Sequence, residues 1–560
     1  MTVIAGGLVQ SVDWLAIAPP TVAALTGLAV LVADLFLPEA RKRLLGWIAA
    51  AGLVLAALAL LPLLDGDRST FCLVGGAGGA GGAAGSGEAA ACSYVADEFT
   101  LVIQLLVLGG AFLTALLSMA AVRQEKLPAG EFWFLLLSSA AGAALLPASR
   151  DLVTLVIALE VASLPAFALV GLRRGDRRSS EAALKFFLSS VTATAVMLLG
   201  VSFVYAATGS LHLTTLAEEL PGTDARLETL ATTGVVLTLV GFAFKTAAAP
   251  FHFWVPDTYV GAPLPVAAYL SVVGKAAGFT GIILVAVLAF PSYDHVWGHA
   301  LAVLAALTMT AGNVAALRQR PERDHSAVRL LAWSSVGQAG YLLVPIAAAA
   351  WASDPSEAIG ATVAYALMYA VVNFGAFAVA AHLRSVTAAN RISDYRGFYA
   401  DNPLAALAFG FFLLCLAGLP PGLIGLFAKV TVFRAAVDAG LGWLAVVMAV
   451  NVVIALYYYL RWTALLFRPA PAAAPAPAPE PAPAPAREPA PAPALATGGA
   501  ATGPSPVTSP APELPAAPVR PATARIAAPV AVTITLTALL ALALSGAPQL
   551  VLRFASGTLL

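Results

Sequence analysis

Only six lysines stand among the 30 lysine and arginine residues of this 560-residue chain, and three of them lie where a charge is least at home. Lys245, Lys275 and Lys429 sit inside the apolar stretches FAFKTAA, VVGKAAG and GLFAKVT. There a basic residue costs about 2.5 to 3.5 kcal/mol even on the gentler insertion scale. Elsewhere the basic positions are nearly all arginine, so something at these three sites excludes it. The physical difference is titration: a buried lysine can release its proton, whereas arginine stays charged in a protein. Lysines that load and unload protons inside apolar helices point to a proton pathway. The alternative is a set of snorkelling anchors or structural ion pairs. Snorkelling fits Lys185 best, because it lies about one turn and a half inside the end of its helix. For the other three, the residue one turn earlier is small (Gly241, Ser271 and Gly425), leaving room beside the ammonium for a partner helix or water.

Glu160, in LVIALEVASLP, is the one carboxylate deep in an apolar stretch. It needs a cationic partner, and Lys245 is the candidate: pairing keeps both groups charged, and breaking the pair changes the lysine's hold on its proton. His252 is the histidine placed to relay a proton, just beyond Lys245. The remaining histidines fall toward loops and helix ends. No spacing of His, Cys and carboxylates resembles a metal, haem or iron-sulfur site, so any redox chemistry belongs to other chains and no cofactor is expected here.

The elements carrying these residues must be membrane helices. With 60% hydrophobic and 11% charged residues, and a mean hydropathy of +0.87, the chain has more apolar surface than a soluble core of this length could hide. At about 20 apolar residues per span, fourteen segments emerge: near 16–38, 43–64, 99–120, 131–149, 151–171, 180–208, 230–251, 262–290, 300–317, 327–350, 358–383, 404–434, 440–467 and 526–546. They are numbered here as spans 1 to 14. The first is read as a retained helix, since no basic segment precedes it.

Proline interrupts two spans. Pro250 and Pro256 follow Lys245 in span 7, and Pro420 and Pro421, flanked by Gly418 and Gly422, precede Lys429 in span 12. Broken helices free backbone groups that are tolerated at membrane depth only where they line a cavity or are buried in protein. Corresponding breaks in spans 7 and 12 suggest two inverted five-helix repeats, spans 4–8 (residues 126–298) and spans 9–13 (299–467). Residues 1–125 hold three further helices, 468–525 a Pro/Ala-rich linker, and 526–560 the last span.

Arginine asymmetry gives orientation, because cytoplasmic loops collect Lys and Arg. Alternate loops carry Arg41-Lys42-Arg43, Arg123 with Lys126, Arg173 to Arg178, Arg318 to Arg329, Arg384 to Arg396, and Arg461 with Arg468. The loops between hold few, chiefly Arg68, Arg150 and Arg226. Fourteen spans with both termini outside fit this alternation. The Pro/Ala-rich run, about 469–525, then reads as an extended cytoplasmic linker, and the Gly-rich run 75–87 as a flexible outer loop. Cys72 and Cys92 flank that loop and can pair if it faces an oxidising compartment, whereas Cys415 reads as a small buried hydrophobe. With no formal net charge at pH 7, the chain has no global basic field for nucleic acid.

Several long stretches look familiar: DLVTLVIALEVASLPAFALVGLRR, EAALKFFLSS, LLAWSSVGQAGYLLV, LAGLPPGLIGLFAKVTVF, and a block of the form FK-x4-PFH-x-W-x-PD-x-Y-x-GAP. From about Asp151 to Arg461 the chain resembles subunit N of bacterial NADH-quinone oxidoreductase, respiratory complex I, one of its antiporter-like subunits. The resemblance implies fourteen helices, proton translocation coupled to quinone reduction elsewhere, and neighbours among subunits M, K and J in a bacterial plasma membrane. It also implies that Glu160, Lys245, Lys275 and Lys429 stand at the family's proton-path positions. Lysine at 429 favours subunit N over subunit M, and no long lateral helix of the subunit L kind is present. The Pro/Ala insertion and the Gly-rich loop depart from the family pattern, which leaves the packing of span 14 open. The rival readings are a subunit of a multi-subunit cation/proton antiporter and a membrane scaffold whose charges only hold helices together.

Overall fold

A computed structural model describes residues 12–72, 91–387, 390–469 and 525–555. The Gly-rich run and nearly all of the Pro/Ala linker, with the readings made for them, lie outside the described residues. The chain is an all-α polytopic membrane protein. Among the described residues thirteen helices are long and apolar enough to cross a bilayer, from Ala18–Phe36 to Ala528–Gly546, and each coincides with an expected span. The remaining expected span, the twelfth, is the split pair Pro403–Ala417 and Leu423–Asp438. One element was not anticipated: an antiparallel hairpin of Arg68–Cys72 and Cys92–Ala96, in which Cys72 and Cys92 pair in register and are joined by a disulfide. Cys415 is buried, as expected of a small hydrophobe.

Local chemistry sets the span ends. Asp97 and Asp151 start spans 3 and 5 by accepting the backbone N–H groups of Thr100 and Thr154 at 2.8 and 2.7 Å, which satisfies orphan donors of the first turn. Arg150, an apparent exception to the arginine asymmetry, is buried and ion-paired with Asp97; Arg68 is paired with Asp13 at 3.2 Å.

Span 7 breaks where its prolines demand. Glu228–Thr246 ends with Ala247 in the left-handed region, and helix resumes only at Val255–Gly261. Two freed groups find partners: the Ala249 N–H donates to Thr308 Oγ1 at 2.8 Å, and the Trp254 indole donates to the Phe244 carbonyl at 3.1 Å. This is how a proline interruption survives at membrane depth. Span 12 breaks at Gly418 (φ +86°), and its second half-helix is met by span 14, whose Ser545 Oγ accepts the Ile424 N–H at 3.1 Å. Span 14 therefore docks on the break despite the insertion that precedes it.

Span 8 holds an irregularity that no proline announces. A wide π turn, Leu270–Gly274, leads directly into Lys275–Ile283, and a second, Leu284–Ala289, follows. Such turns leave helical hydrogen bonds loose and often mark functional positions. Lys275 opens the segment between them.

Candidate proton path

Burial decides first against snorkelling. Lys245, Lys275 and Lys429 are 5%, 1% and 5% exposed, whereas Lys185 is exposed and held by Glu181 and Asp257 at 2.8 and 3.0 Å. Lys185 is thus the anchor among the four. The three buried ammoniums have different surroundings.

Lys275 Nζ donates to the Ser335 carbonyl and, at 2.5 Å, to Ser335 Oγ in span 10. Ser335 Oγ also accepts from the Tyr369 hydroxyl of span 11 at 3.0 Å. Tyr369 lines a small cavity of about 20 Å³, of a size to take a water molecule, together with Gln338, Tyr365, Gly425 and Lys429. A polar run therefore leads from Lys275 through Ser335 and Tyr369 to Lys429. Lys429 Nζ is held by the Leu416 and Ala417 carbonyls at 2.9 and 2.6 Å, the carboxyl-terminal end of the first half-helix. That end carries the negative pole of the helix dipole and suits a cation. The gap left by Gly425 is filled by a partner helix: a Cβ there would meet the Cys415 carbonyl oxygen at 1.7 Å.

Lys245 has no hydrogen-bond partner at Nζ. Its ammonium lies 5.3 Å from the ring centroids of both Phe167 and Phe186, a cation–π setting. Its link to Lys275 is through the backbone: Gly278, one turn past Lys275, packs so closely on span 7 that a Cβ would stand 2.4 Å from the Thr246 nitrogen. A cavity of about 10 Å³ connects Lys245 to Tyr269, whose hydroxyl donates to Ser139 Oγ at 2.9 Å.

The expected contact between Glu160 and Lys245 is not made; among the described residues no ion pair joins them. Lys245 Nζ packs instead on the rings of Phe167, two turns beyond Glu160 along span 5, and of Phe186. Glu160 is half-buried and accepts instead from Thr194 Oγ1 of span 6 at 2.7 Å. His252 stands in the span 7 break with its ring 5.5 Å from that of Trp333, and its buried Nδ1 has no partner. It is not hydrogen-bonded into the run between Lys275 and Lys429.

On the arginine-rich face, the ends of spans 6, 7 and 10 enclose a cavity of about 410 Å³. Asp257 lines it, ion-paired with Lys185 at 3.0 Å and with Arg329 at 3.3 Å. Nearby Arg178 donates to His325 Nε2 at 2.6 Å. Burial, and then the Arg384 and Arg178 guanidiniums, push His325 down to about 4.

Sequence reasoning missed Ser335, Gln338, Tyr365 and Tyr369. The signal was present: Ser334, Ser335 and Gln338 in span 10, and Tyr365 and Tyr369 in span 11, recur at helical spacing on otherwise apolar helices. Among the described residues no group of three or more His, Cys, Asp or Glu could hold a metal ion.

Residues 149–455, more than half the chain, match the model of the NADH:quinone oxidoreductase/Mrp antiporter transmembrane family. The chain belongs to that family. Within the family it is similar to NADH-quinone oxidoreductase subunit N 2 of Streptomyces griseus, 68% identical over 99% of this chain and 95% of the relative. Subunit N of Salinispora tropica is 44% identical over 83% and 87%. Among solved structures, a chain of respiratory complex I from Thermus thermophilus matches with a TM-score of 0.69 at 30% identity, over 96% of this chain and all of that one. A chain of the Mrp complex from a Dietzia species matches with a TM-score of 0.74 at 21% identity, over 97% and 96%, which shows a shared fold. Family membership and the subunit N relatives identify a membrane-arm subunit of the proton-translocating NADH-quinone oxidoreductase type.

Proposed function

We propose that this subunit moves protons from the cytoplasm to the outside along Lys275, Ser335, Tyr369 and Lys429, with Lys245 as the switch and quinone reduction in partner subunits as the energy source. The observation that carries this reading is the run of hydrogen bonds and one small cavity between Lys275 and Lys429. Lys275 exchanges its proton with the Ser335 hydroxyl, which can both donate and accept, and the small cavity gives Lys429 room for a water that does the same. The inlet is the cavity on the arginine-rich face where Asp257 is ion-paired with both Lys185 and Arg329.

Glu160 acts on Lys245 across the rings of Phe167 and Phe186, by field and not by contact. In a water-poor interior, charges that are not in contact still couple measurably. Glu160 is half-buried on the flank of span 5, where a charge in a neighbouring membrane-arm subunit could compete for it. Subunits M, K and J are the neighbours this reading expects. His252 then has a supporting place at the break, relaying between the inlet and span 10.

Orientation with the arginine-rich loops in the cytoplasm of a bacterial cell, and both termini outside, is supported by two features of the opposite face. The disulfide between Cys72 and Cys92 belongs to an oxidising compartment. Arg68 and Arg150, the arginines that run against the asymmetry, are neutralised by Asp13 and Asp97.

The test is NADH-driven proton uptake in inverted vesicles carrying Lys275→Met in the intact complex. The expected outcome is loss of this subunit's share of pumping with the complex still assembled. Unchanged proton uptake per electron would reduce Lys275 to a structural role.

A further inference from the structure

A second cavity on the arginine-rich face, of about 580 Å³, lies away from the proton path, where the ends of spans 3, 5, 8, 11 and 14 converge. Among the described residues, Arg173, Arg174, Arg384 and Arg525 face it against two carboxylates, Glu125 and Asp176. The excess is larger in effect than the count implies. Glu125 is fully engaged by Arg173, which grips it with two hydrogen bonds of 2.6 and 3.0 Å. Asp176 reaches Arg173 only at 4.0 Å. Arg384, largely sunk in the wall, has a buried Nη1 with no hydrogen-bond partner. A buried guanidinium donor without an acceptor is costly, and the groups that relieve it best are planar or tetrahedral oxyanions taken by two N–H groups at once.

The rest of the lining sets Gln124, His382 and Ser385 among apolar side chains that include Leu264 at the start of span 8 and Val530 near the start of span 14. A free anion has no use for the apolar part of these walls. An amphiphile does: its phosphate meets the arginines at the level of the headgroups while its glycerol and upper chains lie along the span ends. We infer that this cavity holds the phosphate of an anionic phospholipid, with Arg384 as the principal donor and Arg525 closing the site from span 14. The lipid then ties the last span to the core at one end, as Ser545 and Ile424 tie it at the other.

The test uses the whole purified complex, stripped of lipid by detergent and titrated separately with phosphatidylglycerol, phosphatidylcholine and inorganic phosphate. The readouts are retained phospholipid by native mass spectrometry and the temperature at which the complex dissociates. Phosphatidylglycerol should bind and raise that temperature, phosphatidylcholine should do so at least about tenfold more weakly, and phosphate alone should not reproduce the effect. Arg384→Gln should weaken phosphatidylglycerol binding about tenfold, with Arg384→Lys falling between, and Arg525→Gln about threefold. Arg525 lies exposed just before the helix of span 14, so its replacement keeps the test decisive if Arg384→Gln fails to assemble. Equal binding of the two lipids, full replacement by inorganic phosphate, or unaltered phosphatidylglycerol binding in both glutamine variants would overturn the inference.

Discussion

The two broken spans carry the same residue in different company. In span 12 the break presents carbonyls to Lys429, which takes two of them. In span 7 the break turns its freed groups toward Thr308 and Trp254, and Lys245 is left among aromatic rings with no hydrogen bond. Proline thus makes the irregularity in both places, but only in span 12 does the irregularity hold the ammonium. A held lysine can store a proton at a fixed place. An unheld one is free to respond to distant charge, and in the proposed reading the half-buried Glu160 supplies it.

Exchange of either lysine for methionine should lower pumping by about tenfold or more in vesicles, since the titrating group is gone. Stability then separates the two. Lys429→Met strands two carbonyls at a break and should cost about 1 to 3 kcal/mol, seen as easier dissociation of the subunit. Lys245→Met removes an unpartnered ammonium from an apolar niche and should leave stability unchanged or raised. Equal destabilisation would erase the distinction between the breaks.

Tyr369→Phe keeps the ring and deletes the hydroxyl that reaches Ser335. The comparison predicts about a three- to tenfold slower coupled turnover with assembly intact, measured as NADH-driven proton uptake. Thr194→Val tests the other arm. It frees Glu160 from its only described hydrogen bond, and should alter turnover about twofold in wild-type Lys245 background and not at all once Lys245 is methionine. Additive effects would separate Glu160 from the switch.

The smallest effect concerns pH at the inlet. His325 in the folded chain titrates at about 4, below its ordinary 6.5, because burial and the facing Arg384, Arg178 and Arg173 outweigh Asp324. The folded state therefore takes this proton later than the unfolded chain. No cost arises above about pH 6.5; it grows as pH falls and is complete near 4. The dissociation temperature of wild type should fall slightly more steeply between pH 6.5 and 4.5 than that of His325→Gln.

Much of this was legible in the sequence because membrane solvent imposes it. Apolar runs near 20 residues gave every span, and prolines beside Lys245 and Lys429 located both breaks. Three features were not legible. The π turn before Lys275 has no proline to announce it, and it packs chiefly against spans 3 and 11. Glu160 and Lys245 were matched by charge, yet their separation depends on helix register, which puts Phe167 and not Glu160 beside the ammonium. Tyr369 and Ser335 read as ordinary polar points of buried helices until the fold set them between two lysines.

The sharpest test replaces Lys275 by arginine, which keeps the charge and N–H donors but does not release a proton. In vesicles holding the assembled complex, the ratio of protons moved to electrons passed should drop as far as it does for Lys275→Met. A ratio equal to wild type would show that a permanent charge suffices there, and the proton path through Lys275 would be refuted.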